Sequence, residues 1–386
     1  MRVLVSGGGT GGHIYPALSV AAQLQQQYNA DILYLGSDDG LETRLVPPTG
    51  LRLATIQAGK LNRYLSWRTV TGVMRVPVGM AQAMRLVRQF RPHVAFTSGG
   101  YVAVPAGLAA RASGAPLLMH QQDVAPNLSN RLLAPLATRV SVAFADSVRY
   151  FPANKTLHLG NPIRQAILDV RNVSPQAART QLGLLPDMPL LLVTGGSQGA
   201  RHLNQVVCQA LPALLQQCQV LQISGDKLFN ETQTLAEQYL SGVPEETRQR
   251  YKLVAYMNEE MPVALQAAEI VLGRSGASML SELAVLGKPA ILVPLPPAIG
   301  DSPQETNAAM LADKHAAEVI LDNNLKPELL IERITDILSS KKRLQEIADA
   351  IQKLAKPDAT KEIVDTLIQL ASSVTGAIAG HESVQV

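Results

Sequence analysis

The chain has 386 residues, of which 47% are hydrophobic, so it can bury a large core and is long enough for two domains. Its formal net charge of +3 and its aromatic content of 4% argue against nucleic acid as a partner. The two cysteines, Cys208 and Cys218, exclude a disulfide framework and indicate a reducing compartment. We expect no export signal, and no membrane crossing, because no apolar run reaches the ~18 residues that a spanning helix needs.

Short apolar runs alternate with helical patterns through the first 164 residues, which predicts a doubly wound α/β domain with a parallel sheet. Strands are predicted at residues 3–5, 31–36, 51–57, 93–98, 116–119, 138–143 and 155–159. Helices are predicted at residues 15–27, 67–90, 102–112 and 127–134. A polar stretch follows Arg164, and we place the domain boundary there.

The same alternation restarts after the boundary and predicts a second doubly wound domain at residues 165–357. Its predicted strands are residues 190–194, 220–224, 252–255, 270–273, 290–293 and 318–321. Its predicted helices are residues 201–215, 278–286, 304–314, 327–339 and 344–354. A last helix near residues 358–372 is expected to complete the first domain, and residues 373–386 are expected to form a flexible tail.

Two glycine-rich turns, residues 7–12 and 195–199, each follow the first strand of a predicted domain. Glycine lets the backbone approach a ligand closely, and the helix that follows offers N–H groups to an anion. Ligands of such sheets bind at the carboxyl ends of the strands, so the sequence predicts a cleft with two such turns. The spacing of Gly7, Gly9 and Gly12, with Asp38 and Asp39 after the next strand, also fits a dinucleotide-binding turn for NAD or FAD.

The run RSGASMLSE at residues 274–282 follows an apolar strand and opens a helix. Backbone N–H groups and hydroxyls at this helix start, with the charge of Arg274, favour a phosphate or diphosphate. Glu282 lies about one turn further on. It can accept hydrogen bonds from ribose hydroxyls, or it can be an acid favoured by the helix dipole.

Further polar groups follow other strands of the two domains. Gln304 and Asn307 belong to a polar loop and could bind sugar hydroxyls, while residues 98–101 and 120–123 end two neighbouring strands near His13. No motif for a metal site, a P-loop or a serine nucleophile is present in the sequence. The pattern therefore favours neither a metal-dependent enzyme nor a serine hydrolase.

Taken in chain order, these motifs resemble the MurG family, glycosyltransferases that add N-acetylglucosamine to lipid I in peptidoglycan synthesis. The resemblance covers almost the whole chain and rests on GGTGGH (8–13), SGGY (98–101), GNPIR (160–164), GGSQGAR (195–201), RSGASMLSE (274–282) and QETNA (304–308). It implies a GT-B fold of two Rossmann-like domains, with lipid I held by the first and UDP-N-acetylglucosamine mainly by the second. It implies no cofactor and no metal.

The resemblance also assigns roles to individual residues. His13 is the implied catalytic base. The residues implied to bind UDP-N-acetylglucosamine are Thr10, Gly11, Gly12, Asp123, Arg164, Ser197, Met257, Arg274, Ala277, Ser278, Met279, Leu280, Ser281, Glu282 and Gln304. The residues implied to bind the acceptor are Gly99, Gly100, Tyr101, His120 and Asn130.

The chain departs from the family pattern at two places. The family usually has HEQN where this chain has residues 120–123, so Gln121 replaces a glutamate and Asp123 replaces an asparagine. Pro303 replaces a polar residue beside Gln304. Because an amide cannot take a proton, the role of base falls on His13, with Asp123 as the next candidate.

The implied reaction is an inverting attack of the acceptor's 4-hydroxyl on C1 of the donor sugar. Since the acceptor's polyprenyl tail stays in the bilayer, we expect a peripheral enzyme on the cytoplasmic membrane face, possessing a surface for anionic lipid. The segment 67–90 has a pattern of apolar residues and arginines that fits such a surface, or a helix packed on the sheet. The alternatives are a diacylglycerol sugar transferase, an NAD- or FAD-linked oxidoreductase and a catalytically silent sugar-nucleotide-binding protein.

Overall fold

The computed structural model describes residues 1–58, 67–196, 198–296 and 303–375, with side chains described for all of these except 67–76 and 374–375. The chain divides into two compact units. Unit 1 consists of Met1–Arg164 and Lys356–Val386, and unit 2 consists of Gln165–Ala355. The predicted tail lies outside the described residues from residue 376 onwards.

Unit 1 is built on a parallel sheet of seven strands. They are β1 (Arg2–Ser6), β2 (Asp31–Ser37), β3 (Arg52–Ile56), β4 (Val94–Thr97), β5 (Leu117–Gln121), β6 (Arg139–Val142) and β7 (Thr156–His158), in the order β3-β2-β1-β4-β5-β6-β7. The helices of the N-terminal segment are α1 (Gly11–Tyr28), α2 (Glu42–Leu45), α3 (Trp67–Phe90), α4 (Ala103–Ala112) and α5 (Leu128–Leu133). The bounds of α3 in the structure are those predicted from the sequence, residues 67–90.

Unit 2 repeats the architecture with a parallel sheet of six strands in the order β10-β9-β8-β11-β12-β13. These strands are β8 (Leu190–Thr194), β9 (Gln219–Ile223), β10 (Tyr251–Val254), β11 (Ile270–Gly273), β12 (Ala290–Leu292) and β13 (Glu318–Val319). Its helices are α6 (Gln165–Val170), α7 (Pro175–Gln181), α8 (Arg201–Leu214), α9 (Phe229–Leu240), α10 (Glu245–Arg248), α11 (Met261–Ala267), α12 (Ala277–Leu286), α13 (Gln304–Asp313), α14 (Pro327–Leu338) and α15 (Lys341–Gln352). The last helix, α16 (Ala359–Thr375), belongs to unit 1.

Both faces of the unit 1 sheet are buried, which explains why its strands read as unbroken apolar runs. Val3 and Val5 pack with α1 and α16 on one face, and Leu4 packs with α3, α4 and α5 on the other. Each strand therefore contributes alternate side chains to two cores, as the pleat requires. The predicted doubly wound fold of both units is confirmed.

Five helices of unit 2, α6, α7, α9, α10 and α11, were not predicted. α9 is mainly polar, and its buried positions are only Thr232, Ala236 and Leu240, so its apolar stripe is narrow. α6, α7, α10 and α11 have seven residues or fewer, too short for a clear helical period. Packing against the rest of the unit, rather than sequence propensity, stabilises them.

Each sheet changes winding direction at one place, between β1 and β4 in unit 1 and between β8 and β11 in unit 2. This switch point is where open α/β sheets bind ligands, in the crevice beyond the carboxyl ends of the strands. The predicted glycine turns follow β1 and β8, and the residues 98–101 and 274–282 follow β4 and β11. All four motifs are therefore at a switch point of their own unit.

A buried lysine gives unit 2 a pH-dependent stability. The Lys288 ammonium donates to the carbonyls of Gln266 at 2.6 Å and Ala268 at 3.2 Å, near the end of α11. Burial lowers its pKa from 10.5 to about 8. Since the folded-state pKa lies below the unfolded-state value, the unfolded chain binds more protons between these two pH values.

We predict that the wild type gains stability relative to Lys288→Met as pH rises from about 8 to about 10.5, by up to about 3 kcal/mol. Below pH 8 the difference between the two should be constant. Urea-unfolding midpoints at stepped pH measure this, with Lys342→Met at an exposed site as the control. A difference that stays flat, or falls, across the window would contradict the assignment.

Candidate active site

The carboxyl edge of the unit 1 sheet brings two glycine segments into direct contact. The Gly8 N–H donates to the Gly99 carbonyl at 3.2 Å, which ties the turn after β1 to the turn after β4. Gly9 and Gly99 have φ values of +87° and +105°, which disfavour any side chain. The approach is close enough that a Cβ on Gly99 would lie 2.8 Å from the His13 Nδ1. The glycines are therefore needed for the packing of His13 as well as for the turn.

His13 lies in the first turn of α1 and is held against the end of β4. Its Nδ1 lies 2.9 Å from the Ser98 carbonyl oxygen, and the Ser98 hydroxyl donates to the His13 carbonyl at 2.6 Å. The Gln122 side-chain nitrogen donates to the same Ser98 carbonyl at 2.8 Å and lies 3.2 Å from the His13 Nδ1. Ser98 thus fixes both the backbone and the ring of His13.

This geometry selects the tautomer of the His13 ring. A carbonyl oxygen can only accept, so the Nδ1 facing it must carry the proton. The Gln122 nitrogen then lies beside Nδ1 as a second donor to a shared acceptor. With Nδ1 protonated in the neutral ring, the basic lone pair is on Nε2.

The surroundings of His13 shift its pKa in both directions. Burial lowers the pKa below 6.5 and is the largest effect, while the charge of Asp123 and the hydrogen bond to Ser98 raise it. The net direction is downward, so the ring is neutral at physiological pH. A neutral imidazole with a defined basic nitrogen suits a general base.

His120, in β5 of the same sheet, has a different environment from that of His13. It is fully buried, with Nδ1 bonded to the Ser141 hydroxyl at 2.7 Å and Nε2 to the Asn161 side-chain oxygen at 3.0 Å. Burial lowers its pKa to about 4, so it is neutral. Its implied contact with the acceptor stays a prediction, and both of its nitrogens are already engaged within unit 1.

The Gln121 side chain lies on the opposite face of β5 from His120, and both its nitrogen and its oxygen are hydrogen-bonded. Its side-chain nitrogen donates to the carbonyls of Asp123 at 2.8 Å and Ala125 at 3.1 Å, and its oxygen accepts from Asn130 at 2.7 Å. Asn130 is buried and also donates to the His120 carbonyl at 3.0 Å. Two carbonyl acceptors at one end demand an amide nitrogen there, which explains glutamine at this position.

The remaining implied residues of unit 1 surround the start of α1. Thr10 and Gly12 are exposed, and no side chain caps α1 at Thr10. Asp123 is buried and electrostatically coupled to His13. The Arg164 guanidinium lies 5.6 Å from the centre of the Tyr15 ring, in a cation–π contact on α1.

In unit 2 the turn after β8 contains two glycines with positive φ values. Gly196 and Gly199 have φ values of +81° and +73°, and the Gly199 N–H donates to the Gly196 carbonyl at 3.0 Å. A Cβ on Gly199 would collide with the Ser224 carbonyl at the end of β9. Ser197 lies outside the described residues.

Arg274 is bound at the carboxyl edge of the unit 2 sheet. Its Nη1 contacts the Asp322 carboxylate at 2.6 Å and the Val293 carbonyl at 3.0 Å. The other Asp322 oxygen lies 3.1 Å from the His202 Nδ1. Asp322 therefore connects α8, β11 and the end of β13, a partner that the sequence motif alone did not reveal.

The implied donor-binding helix α12 begins without a side-chain cap at Gly276. Ser275 is buried and donates to the Gln304 carbonyl at 2.8 Å, and the Gln304 side-chain oxygen accepts from the Leu295 N–H at 3.0 Å. Gln304 thus ties α13 to the end of β12. Its contact with the sugar stays a prediction.

The other implied donor contacts differ in exposure. Ser278, Met279 and Met257 are partly exposed, and the buried ones are Ala277, Leu280, Ser281 and Glu282. Ser281 donates back to the Ala277 carbonyl at 2.8 Å. The role of Glu282 on a ribose stays a prediction.

The sequence analysis missed one group beneath the unit 1 loop. Glu42 is fully buried, and its carboxyl lies behind Gly8. The signal in the sequence would have been its position after Gly36 and Gly40, two further glycines that make room for it. Tyr34 belongs to the same layer and donates to the Gly7 carbonyl at 2.6 Å.

The described residues contain no group of three or more His, Cys, Asp or Glu side chains arranged to hold a metal ion. In the same part of the chain, no helix has the combination of length and apolar character that crossing a membrane requires.

Comparisons with known proteins agree with this architecture. A solved MurG structure from Acinetobacter baumannii is similar over 95% of this chain and 99% of its own, with a TM-score of 0.71 and 29% identity. The glycosyltransferase CalG4 has a TM-score of 0.70 at 14% identity, which shows likeness of fold alone. The two units therefore have the α/β organisation of the GT-B fold.

The family follows from the sequence comparisons. Residues 3–142 match the N-terminal domain of glycosyltransferase family 28, and residues 190–363 match its C-terminal domain. A protein of Desulforudis audaxviator named UDP-N-acetylglucosamine–N-acetylmuramyl-(pentapeptide) pyrophosphoryl-undecaprenol N-acetylglucosamine transferase is 38% identical over 97% of this chain and all of its own length. One of the same name from Caldanaerobacter subterraneus is 37% identical over 97% of this chain. The chain belongs to the MurG group of glycosyltransferase family 28.

We predict that Gln121→Glu destabilises unit 1 by about 1–3 kcal/mol, because a carboxylate would face two backbone carbonyls with no donor to offer. The urea-unfolding midpoint at pH 7.5 measures this. Gln26→Glu on the exposed side of α1 is the matched control and should change the midpoint little. A Gln121→Glu protein as stable as the wild type would show that the two carbonyl bonds contribute nothing.

Proposed function

We infer that this chain transfers N-acetylglucosamine from UDP-N-acetylglucosamine to lipid I, the undecaprenyl-diphospho-N-acetylmuramoyl-pentapeptide, and so forms lipid II. The observation that carries this inference is the near-complete match, at 38% and 37% identity, to two relatives named for that transfer. The arrangement of His13 supports it, since a hydroxyl acceptor needs a base. The diacylglycerol sugar transferase and oxidoreductase alternatives are not favoured.

We propose His13 as the general base. Nε2 would take the proton of the acceptor's 4-hydroxyl as that oxygen attacks C1 of the donor sugar, and the bond from C1 to the diphosphate would break, releasing UDP. The Ser98 carbonyl keeps the Nδ1 proton in place and orients the ring. Asp123 can stabilise the imidazolium that forms, because its charge raises the His13 pKa.

The two phosphate-binding edges would divide the substrates between the units. The turns after β1 and β4 in unit 1 would take the acceptor diphosphate, and the turns after β8 and β11 in unit 2 would take the donor diphosphate. Thr10, Gly11 and Gly12, at the end of the turn after β1, would also reach the donor. The backbone N–H groups at the start of α12 would offset charge growing on the departing UDP. Arg274 is paired with Asp322 and donates to the Val293 carbonyl at the end of β12. It would therefore hold the end of β12 in place as well as supply positive charge to the donor diphosphate.

A transfer assay with labelled UDP-N-acetylglucosamine tests this function directly. Label should move into a lipid I analogue and not into diacylglycerol. Transfer to diacylglycerol would establish the related lipid glycosyltransferase instead, and donor binding without transfer to either lipid would indicate a silent binding protein.

We predict that His13→Ala lowers kcat/KM by about 10²–10⁴-fold, the range typical of a lost general base. In the wild type, the acid limb of the kcat/KM profile should lie below pH 6.5, because burial lowers the pKa of His13. Asp123→Asn should keep most of the activity and move that limb to lower pH, since it removes a charge that raises the His13 pKa. If Asp123→Asn were as inactive as His13→Ala, Asp123 would be the base.

We also propose that unit 1 binds an anionic membrane surface, with other cell-wall synthesis proteins as further partners at that membrane. Within α3, Val87 is fully buried, and Met84 and Leu86 pack against the same core cluster, so these three follow the predicted alternative of a helix packed on the sheet. They belong to the apolar stripe by which α3 packs. Arg85 and Arg88 are exposed on the outer side of α3, while the predicted contacts at residues 67–76 lie outside the described side chains.

A second exposed set of residues supports a lipid-facing surface. α5 packs on α4 in the same layer as α3, and Leu128, Leu132 and Leu136 have exposures of 61%, 54% and 42%. Arg131 is exposed among these leucines. Exposed leucines interspersed with arginines are typical of surfaces that bind anionic lipid.

We predict that Leu128→Gln/Leu132→Gln and Arg85→Gln/Arg88→Gln each reduce flotation with vesicles containing anionic lipid, while the wild type floats with these and not with zwitterionic vesicles. A matched pair on unit 2, Lys342→Gln/Arg248→Gln, removes the same number of exposed cations and should have no effect. Equal flotation of all variants would reject this surface.

A further inference from the structure

The buried carboxyl of Glu42 is packed between segments whose glycines leave room for it. Glycines from the loop after β1, from β2 and from the turn after β2 contact it. A Cβ on Gly8 or on Gly40 would collide with its carboxyl oxygens, and a Cβ on Gly36 would lie 2.9 Å from the Glu42 Cβ. Glu42 itself has 0% exposure. Burying an acid costs desolvation free energy, and the three glycines around it cost conformational entropy, so we expect Glu42 to have a structural or functional role.

Hydrogen bonds reach the Glu42 carboxyl from one hydroxyl and from backbone N–H groups. Oε1 lies 3.4 Å from the Ser37 hydroxyl, and Oε2 has no hydrogen-bond partner within the described ranges. No cation from those ranges forms an ion pair with it either. Burial raises its pKa, against backbone N–H groups that include Gly9 and Ser37. Because the Gly9 backbone is among these hydrogen-bond donors, the carboxyl contacts the loop after β1 directly.

Hydroxyl groups connect this acid to both glycine segments of the site. The Ser37 hydroxyl lies 2.8 Å from that of Tyr101, whose ring would lie 3.1 Å from a Cβ on Gly9. Tyr101 also donates to the exposed Asp39 at 3.4 Å. The titratable groups around Glu42 in the described ranges are thus Tyr34, Tyr101 and Asp39. Glu42 and Tyr101 together bracket Gly8 and Gly9 from behind.

We propose that Glu42 is a positioning residue whose buried carboxyl fixes Gly8 and Gly9 where the loop meets the acceptor diphosphate. The inference rests on the proposed function, in which this loop takes the acceptor. Glu42 touches no substrate and works through the loop backbone. Because Gly8 and Gly9 are the residues it supports, its removal should weaken use of the acceptor more than use of the donor.

The test compares Glu42→Ala, Glu42→Asp and Glu42→Gln in the transfer assay, varying one substrate at a time. Glu42→Ala and Glu42→Asp should raise the acceptor KM about five-fold or more, because each withdraws the group that supports Gly8. Glu42→Gln keeps the shape without the charge and should stay within about two-fold of the wild type. In Glu42→Ala and Glu42→Asp the donor KM should rise less than the acceptor KM. Neither KM should change in Asp31→Asn, an exposed acid at the far end of β2 that serves as the matched control.

Hydrogen exchange of the backbone amides of residues 7–12 gives a second readout that needs no turnover. Exchange should be faster in Glu42→Ala than in Glu42→Gln. An unchanged acceptor KM and unchanged exchange in Glu42→Ala would overturn the proposal, and so would a Glu42→Gln as impaired as Glu42→Ala, since negative charge would then be required. A wild type that transfers no sugar would overturn the proposed function instead, and the exchange result would still decide the place of Glu42.

Discussion

The carbonyl oxygen of Ser98 is the acceptor on which the geometry of the proposed active site depends. It accepts hydrogen bonds from the His13 Nδ1–H at 2.9 Å and from the Gln122 side-chain nitrogen at 2.8 Å. The hydroxyl of the same residue donates to the His13 backbone carbonyl. One residue at the end of β4 thereby sets the position, the ring orientation and the tautomer of a histidine 85 positions earlier. Without that contact, the basic nitrogen of the ring would not be defined.

That contact in turn requires an edge of the sheet with almost no side chains. Gly99 leaves room for the His13 ring, Gly100 for the Gly8 backbone and Gly8 for the carboxyl of Glu42. The sheet order explains why these segments meet, because β1 and β4 are neighbours at the switch point of unit 1. These glycines are therefore needed mainly for close packing, and not for loop flexibility.

The sequence predicted the strands and the switch-point motifs well for a physical reason. Strands buried on both faces are continuous apolar runs, and a parallel sheet places the turns after them on one edge. The roles of individual polar residues were harder to predict, since adjacent residues of a strand point to opposite faces. His120 and Gln121 are consecutive, yet one bonds to Ser141 and Asn161 and the other to Asn130.

Partners distant in the chain limited the prediction elsewhere. The pairing of Arg274 with Asp322 spans 48 positions, and Glu42 reaches the glycine loop from a four-residue helix that no periodic pattern announced. In both cases the motif follows a strand where the sequence predicted it, while the group that packs against it lay outside the motif. Charge pairing and burial of this kind depend on tertiary packing, which sequence spacing does not encode.

The central claim, that His13 is a neutral base with its proton on Nδ1, can be tested by ¹⁵N NMR of histidine-labelled protein, with His13→Ala used to assign the signal. The account predicts nitrogen shifts of the Nδ1–H tautomer at pH 7 and a titration midpoint below 6.5, as burial requires. A proton on Nε2 at pH 7, or a midpoint well above 6.5, would contradict it.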